Sequence, residues 1–238
     1  AVDILTVAEI RPGMTGYGRT VFKGTEVESF PVEIIDIIYN QGIEKNLVLI
    51  RAGGSRINEI GGIASGMSGS PVYVDNRLIG AVAYGWLDSD RHYAIVVPIK
   101  EMLNLIENRE SGSDKLNQVK NLFQARNLLM VNGISGRALN YLRDDLSDLN
   151  MEIYQGGGVV NKESSDITAG SAVAVQLVRG DVNISSIGTV TYVENNKIIA
   201  FGHPFTNRGR VNYLLSKAYI NGIIPSTVEP FKLGAPFD

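Results

Sequence analysis

Six consecutive residues, Gly66-Met67-Ser68-Gly69-Ser70-Pro71, carry the strongest chemical signal in the chain. They read Gly-x-Ser-Gly-x-Pro, and each position suits a requirement of acyl transfer. A serine hydroxyl is a weak nucleophile. It must be held exposed beside a base, with backbone N–H groups aimed where an oxyanion develops. Small residues on either side let the backbone turn tightly enough to present hydroxyl and amides together. With Ser68 as nucleophile, the N–H groups of Gly66 and Ser68 are the expected oxyanion hole. The apolar run Pro71-Val72-Tyr73-Val74 behind the motif reads as the strand that anchors it.

Such a serine needs a base, and the chain has two histidines, His92 and His203. His203 sits in Ala200-Phe201-Gly202-His203-Pro204-Phe205, leaving an expected strand between glycine and proline. A ring held on that turn, with an unperturbed pKa near neutrality, suits general-base chemistry. His92 follows Asp88-Ser89-Asp90-Arg91, a polar loop, and reads as a solvated surface residue. Two histidines and no cysteine argue against a structural zinc site, and the lack of cysteine leaves no disulfide framework and no thiolate chemistry. A net charge of −3 gives no electrostatic footprint for nucleic acid. No segment has the length of a membrane span.

The elements that must position these groups are mostly strands. Apolar, β-branched runs occur at residues 20–22, 31–39, 46–50, 71–74, 78–84 and 93–98, separated by turn formers such as Asn40-Gln41-Gly42 and Asp75-Asn76. Residues 99–107 have a helical spacing of apolar positions, and a polar linker is expected at 108–114. After the apolar run 127–131, Ser135 reads as the N-cap of a helix to about residue 149. Strand character returns at 172–178, 187–193, 198–201 and 211–220, with a hairpin turn at Asn195-Asn196. Gly16-Tyr17-Gly18 lacks the further glycine or lysine of a nucleotide loop and reads as a turn. Gly156-Gly157-Gly158 reads as a flexible junction. The expected units are a Ser68-bearing β half at 1–105, a helical connector at 106–150 and a His203-bearing β half at 151–238. The chain opens Ala1-Val2-Asp3, as a processed product or an excised fragment would, and a further strand is expected beyond Asp238.

Two blocks carry a family resemblance. One runs from Gly61 through Val72 and on through Arg77-Leu78-Ile79-Gly80-Ala81-Val82. The other is Ile187-Gly188-Thr189-Val190-Thr191-Tyr192, ending in Phe201-Gly202-His203. In these the chain resembles the SpoIVB-type serine peptidases of the trypsin-like superfamily. The resemblance implies a mainly β, double β-barrel fold with the site in the cleft between halves. It puts the nucleophile on Ser68 rather than Ser70, and the base on His203. Here the serine precedes the histidine, so the two halves stand in permuted order, a difference that a triad defined by geometry tolerates.

The same resemblance implies a third member, an acid ahead of the serine. The corresponding stretch, Ala52-Gly53-Gly54-Ser55, holds no carboxylate. Because acid and histidine share one barrel in trypsin-like enzymes, Asp181 is the candidate, ahead of Asp36 or Asp88. By the same analogy Tyr84 and Gly85 line the place where substrate backbone binds. The implied activity is a serine endopeptidase acting on protein or peptide substrates, without a cofactor, in an exported bacterial protein of the envelope, periplasm or medium. The alternative expectation is a catalytically silent peptide-binding, sensor or scaffold module that keeps the cleft and lacks a competent triad. Oligomeric state is not legible.

Overall fold

The computed structural model describes residues 2–39, 46–86, 89–107, 127–146, 151–159, 166–206 and 209–237. The linker expected at 108–114 and the turn expected at 40–42 lie outside these residues. The architecture is mainly β, as the alternating apolar runs require. In the first half, β1 (Thr15–Thr20), β2 (Glu28–Tyr39), β3 (Asn46–Ala52), β4 (Pro71–Val74), β5 (Arg77–Tyr84) and β6 (Tyr93–Pro98) close a six-stranded barrel in the order β1-β2-β3-β6-β5-β4. Every pairing is antiparallel. Closure removes the open edges a flat sheet would expose. Phe30, Ile34, Ile50, Val72, Ile79 and Val96 fill the interior together with Met67 from the serine motif.

Two details of this half differ from the sequence reading. Gly16-Tyr17-Gly18 is not a turn but the middle of β1. A Cβ on Gly16 would stand 1.9 Å from the Tyr73 carbonyl oxygen, and one on Gly18 would stand 2.2 Å from the Phe30 ring. The glycines therefore let β1 seat against β4 and over a core aromatic. A short helix, α1 (Ser55–Ile60), begins at the end of the stretch in which an orienting acid was sought. It buries Ile57 and Ile60 and ends on Gly61, whose left-handed φ of 89° turns the chain toward the serine motif. Helix α2 (Ile99–Glu107) covers the outside of β5 and β6, burying Ile99 and Met102.

The second half is a seven-stranded sheet built from β7 (Asn127–Asn132), β8 (Met151–Gln155), β9 (Ala172–Val178), β10 (Asn183–Glu194), β11 (Lys197–Ala200), β12 (Leu214–Ile224) and β13 (Phe231–Phe237). Its order is β13-β12-β9-β10-β7-β8, and β11 pairs with β10. β7 and β8 are parallel, and the chain between them includes α3 (Gly136–Asp145), begun at Ser135. Leu139 of α3 packs on Leu129, Val131 and Ile153. Both two-residue hairpins expected from the sequence are present. Asp75-Asn76 and Asn195-Asn196 all take positive φ, between 47° and 61°, as tight turns between twisted strands require. The glycine run 156–158 is tied down rather than loose: Gly156 N donates to Val131 O at 2.8 Å, and Asn221 Nδ2 donates to Gly158 O at 2.8 Å.

Candidate active site

The serine motif leaves α1 and enters β4, and nearly all its backbone groups are spoken for. Met67 is buried in the barrel core, and its N–H donates to Ala64 O at 2.9 Å. Gly69 N donates to Val82 O at 2.7 Å, and Ser70 N donates to Met67 O at 2.9 Å. The second sheet supplies the rest. Lys232 N donates to Ser65 O and Thr189 N to Ser68 O, each at 2.9 Å. The Thr189 hydroxyl donates to Gly66 O at 2.9 Å, and the Thr191 hydroxyl to Gly69 O at 2.7 Å.

Among the described residues, the N–H groups of Gly66 and Ser68 take no acceptor, the two amides expected to form an oxyanion hole. Peptide planarity fixes where they point. In a trans peptide the N–H lies opposite the carbonyl. Lys232 holds the Ser65 carbonyl, so the Gly66 N–H is aimed away from Lys232. Ser70 N–H holds the Met67 carbonyl, so the Ser68 N–H is aimed away from Ser70. Gly66 adopts φ 91°, a conformation that a side chain would strain.

Of the two hydroxyls in the motif, Ser70 is fully buried, whereas Ser68 is partly exposed and lines a pocket. His203, Tyr84 and Gly85 line the same pocket. His203 arrives from β11 through two left-handed residues, Phe201 at φ 68° and Gly202 at φ 69°. Phe201 is the costly one, because a bulky residue rarely enters that region. It is held there by its N–H to Thr189 O and by its ring over Gly188. The two units could not approach so closely with larger residues. A Cβ on Gly69 would stand 1.9 Å from Thr189 O, and one on Gly202 would stand 2.7 Å from Val82 O.

The imidazole of His203 packs beside the rings of Tyr84 and Phe201, with centroids 5.9 and 6.4 Å away. Its Nδ1 lies 3.0 Å from Pro204 O. A carbonyl only accepts, so Nδ1 carries the proton and Nε2 keeps its lone pair. Desolvation lowers the imidazole pKa below its ordinary 6.5, partly opposed by the bond to Pro204.

Asp181, the candidate orienting acid, is not brought to this ring. It is exposed in the connection between β9 and β10, where its carbonyl sits against Gly133. Thr189, which pins the serine motif, lies eight positions further along, roughly 25 Å at strand rise. A strand start in the right sheet was the wrong end of the right strand. Asp36 instead accepts from Ile37 N on β2, and Asp88 lies outside the described residues. Among the described residues no carboxylate bonds the His203 ring. His92 is not merely solvated: Nδ1 lies 2.6 Å from Asp90 Oδ1 and Nε2 lies 3.2 Å from Asn58 Oδ1, a loop fastening.

Comparison with known families bears on the half that carries the serine. Residues 1–103 match the family model of SpoIVB peptidase S55. The first barrel is of the SpoIVB peptidase type. No curated protein matches the chain. The match supports a serine peptidase role; it includes Ser68 and stops short of His203, Thr189 and Lys232.

The SpoIVB-type barrel does not complete its pocket alone. Arg91, beside β6, donates from Nε to Val228 O at 2.9 Å and pairs with Glu229 at 3.8 Å. Glu229 also accepts from the Ser65 hydroxyl at 2.8 Å, and both charged side chains line the pocket. Sequence reasoning missed Thr189 and Thr191 as anchors, although both lie in the block that resembles the family. It missed Arg91, Glu229 and Lys232 altogether. Only one signal pointed to Lys232: a lysine between Phe231 and Leu233, in an apolar stretch.

Proposed function

We propose that the chain is a serine endopeptidase that hydrolyses peptide bonds through an acyl-enzyme on Ser68, with His203 as its base. The Ser68 hydroxyl oxygen attacks the scissile carbonyl carbon as its proton passes to Nε2 of His203. The carbonyl oxygen becomes an oxyanion facing the N–H groups of Gly66 and Ser68. The C–N bond then breaks, and the imidazolium returns its proton to the departing amine. A water, deprotonated by the same nitrogen, attacks the ester. The carboxylic product leaves and the serine hydroxyl is restored. Tyr84 and Gly85, on the wall beside the histidine, bind the substrate chain.

The observation that carries this reading is the shared pocket. Ser68 and His203, from different β units, line it together, and two unpartnered amides flank the serine. The Pro204 carbonyl takes the place of the acid in selecting the tautomer. It brings no full negative charge to stabilise the imidazolium, and neutralising the acid of a trypsin-like triad costs about 10⁴ in turnover. The proposed enzyme is therefore a slow one unless substrate improves the site. That same bond favours a second reading, a peptide-binding module that keeps the cleft without turnover.

A fluorophosphonate probe separates the two. The peptidase reading expects one adduct, located by mass spectrometry on Ser68 and lost in both Ser68→Ala and His203→Ala. A folded wild type that takes no label at Ser68 supports the binding module.

A further inference from the structure

Lys232 is the largest charged side chain sealed from solvent among the described residues, with no exposed surface. It projects from β13 into the seam between the two units. Its stem lies against Gly66: a Cβ there would stand 3.1–3.3 Å from Lys232 Cβ, Cγ and Cδ. Its Nζ donates to the hydroxyls of Thr20 at 2.7 Å and Thr189 at 3.2 Å. Among the described residues no carboxylate pairs with it. A buried ammonium without a counter-charge is costly, and nothing in the packing of β13 demands one.

The geometry gives it a task. With Nζ donating to the Thr189 oxygen, that hydroxyl turns its own proton to Gly66 O, in a relay whose bonds strengthen one another. The main chain of Lys232 meanwhile holds the Ser65 carbonyl and so aims the Gly66 N–H. We propose that Lys232 is a positioning residue for the reaction at Ser68, holding the oxyanion loop through Thr189 and setting a buried positive charge behind it. The inference rests on the reading of Ser68 as nucleophile and of the Gly66 and Ser68 amides as oxyanion hole. Charge fixed in a dry site before reaction stabilises a developing oxyanion without reorganisation.

The surroundings make this charge titratable. Facing Lys232 are Thr20 from β1, Thr189 from β10, the Ser65–Gly66 backbone, and Ile223 as its register partner on β12. None of these carries a charge. Charged side chains on the adjoining segments are engaged elsewhere: Arg19 of β1 with Tyr73, and Glu229 with Ser65 and Arg91. His203, the site's other titrating group, bonds Pro204. Burial pushes the ammonium down to about 7. The positive charge is thus present below about pH 7 and lost above it, while His203 is already neutral. The reaction at Ser68 slows as pH rises through neutrality, opposite to what deprotonation of a histidine base alone would give.

The test is the second-order rate of fluorophosphonate labelling at Ser68 against pH, in wild type, Lys232→Met and Thr189→Val. Methionine keeps the stem over Gly66 and removes the ammonium. Lys232→Met should melt no lower than wild type, label roughly tenfold more slowly at pH 6 and lose the alkaline decline. Opposite movement of stability and rate distinguishes positioning from a structural role. Thr189→Val, which cuts the relay and leaves the charge, should label more slowly yet keep the alkaline decline; this arm decides if the lysine variant does not fold. Equal rates in wild type and variants, or rate and melting temperature falling together with an unchanged pH profile, overturn the proposal. No labelling of wild-type Ser68 instead overturns the underlying reading, and this inference with it.

Discussion

The inside of the first barrel is packed with Val, Ile, Ala and Phe, while the second sheet buries hydroxyls, an amide and an ammonium. Among the described residues, eight of the ten buried polar ones fall from Ser171 to Lys232, and the other two are Thr20, which bonds Lys232, and Ser70 of the serine motif. The barrel is a closed, apolar support from which one loop emerges. The sheet turns a polar face toward that loop and hydrogen-bonds three of its carbonyls from Thr189 and Thr191. A glycine-rich loop has no side chains with which to hold its own shape. Its conformation must come from groups that reach it, and here most come from the other unit. Nucleophile and oxyanion amides thus belong to the barrel, whereas the base and the fastenings belong to the sheet.

That division can be broken at four points. His203→Ala should have the largest effect, a loss of a thousandfold or more in the labelling rate of Ser68 with the fold intact, since losing a base alone costs about as much as losing a whole triad. A loss below tenfold would mean that the sheet does not supply the base. Gly69→Ala tests the seam, because its Cβ would meet two backbone atoms, Thr189 O and Phe201 N, that cannot swing aside. Together with φ 92° this should cost about 3 kcal/mol or more in urea unfolding. A wild-type midpoint would show that the units are not pressed together there.

The third point is the buried lysine. In the unfolded chain Lys232 titrates near 10.5 and in the fold at about 7. Between these values the unfolded chain holds the extra proton, so stability should rise with pH from 7 to 10.5, by an amount on the order of 5 kcal/mol. Below 7 the full cost is present. Unfolding of wild type and Lys232→Met across that range checks it, and parallel curves would contradict it. The smallest effect is expected of Asp181→Asn, far from the ring: labelling within twofold of wild type. A tenfold loss would restore the acid to the site. The desolvated His203 also predicts that labelling persists as pH falls below 6.5, until the ring takes its proton.

Much of this was legible in the sequence, for physical reasons that also explain the gaps. Strands such as Pro71–Val74, Tyr93–Pro98 and Ala172–Val178 keep one dominant apolar signal and were read at their observed bounds. Ser68 and His203 were legible because flanking glycines free the backbone to turn there and the neighbouring prolines fix it. β13 was not, since Gly234 and Pro236 interrupt it and its inward Lys232 reads as a solvent position. β1 hid behind Gly16 and Gly18, whose role is close approach rather than turning. Asp181 misled because sequence distance along β10 does not reveal which end meets the barrel. The anchoring threonines had no local signature: their partners are carbonyls more than a hundred residues earlier.

The most direct test is a crystal structure of the phosphonylated protein. The account predicts phosphorus bonded to Ser68 Oγ and its oxygen accepting from the N–H groups of Gly66 and Ser68 at about 2.7–3.1 Å, with Nε2 of His203 facing Oγ. An adduct on another residue, or a phosphoryl oxygen turned away from those two amides, would contradict it.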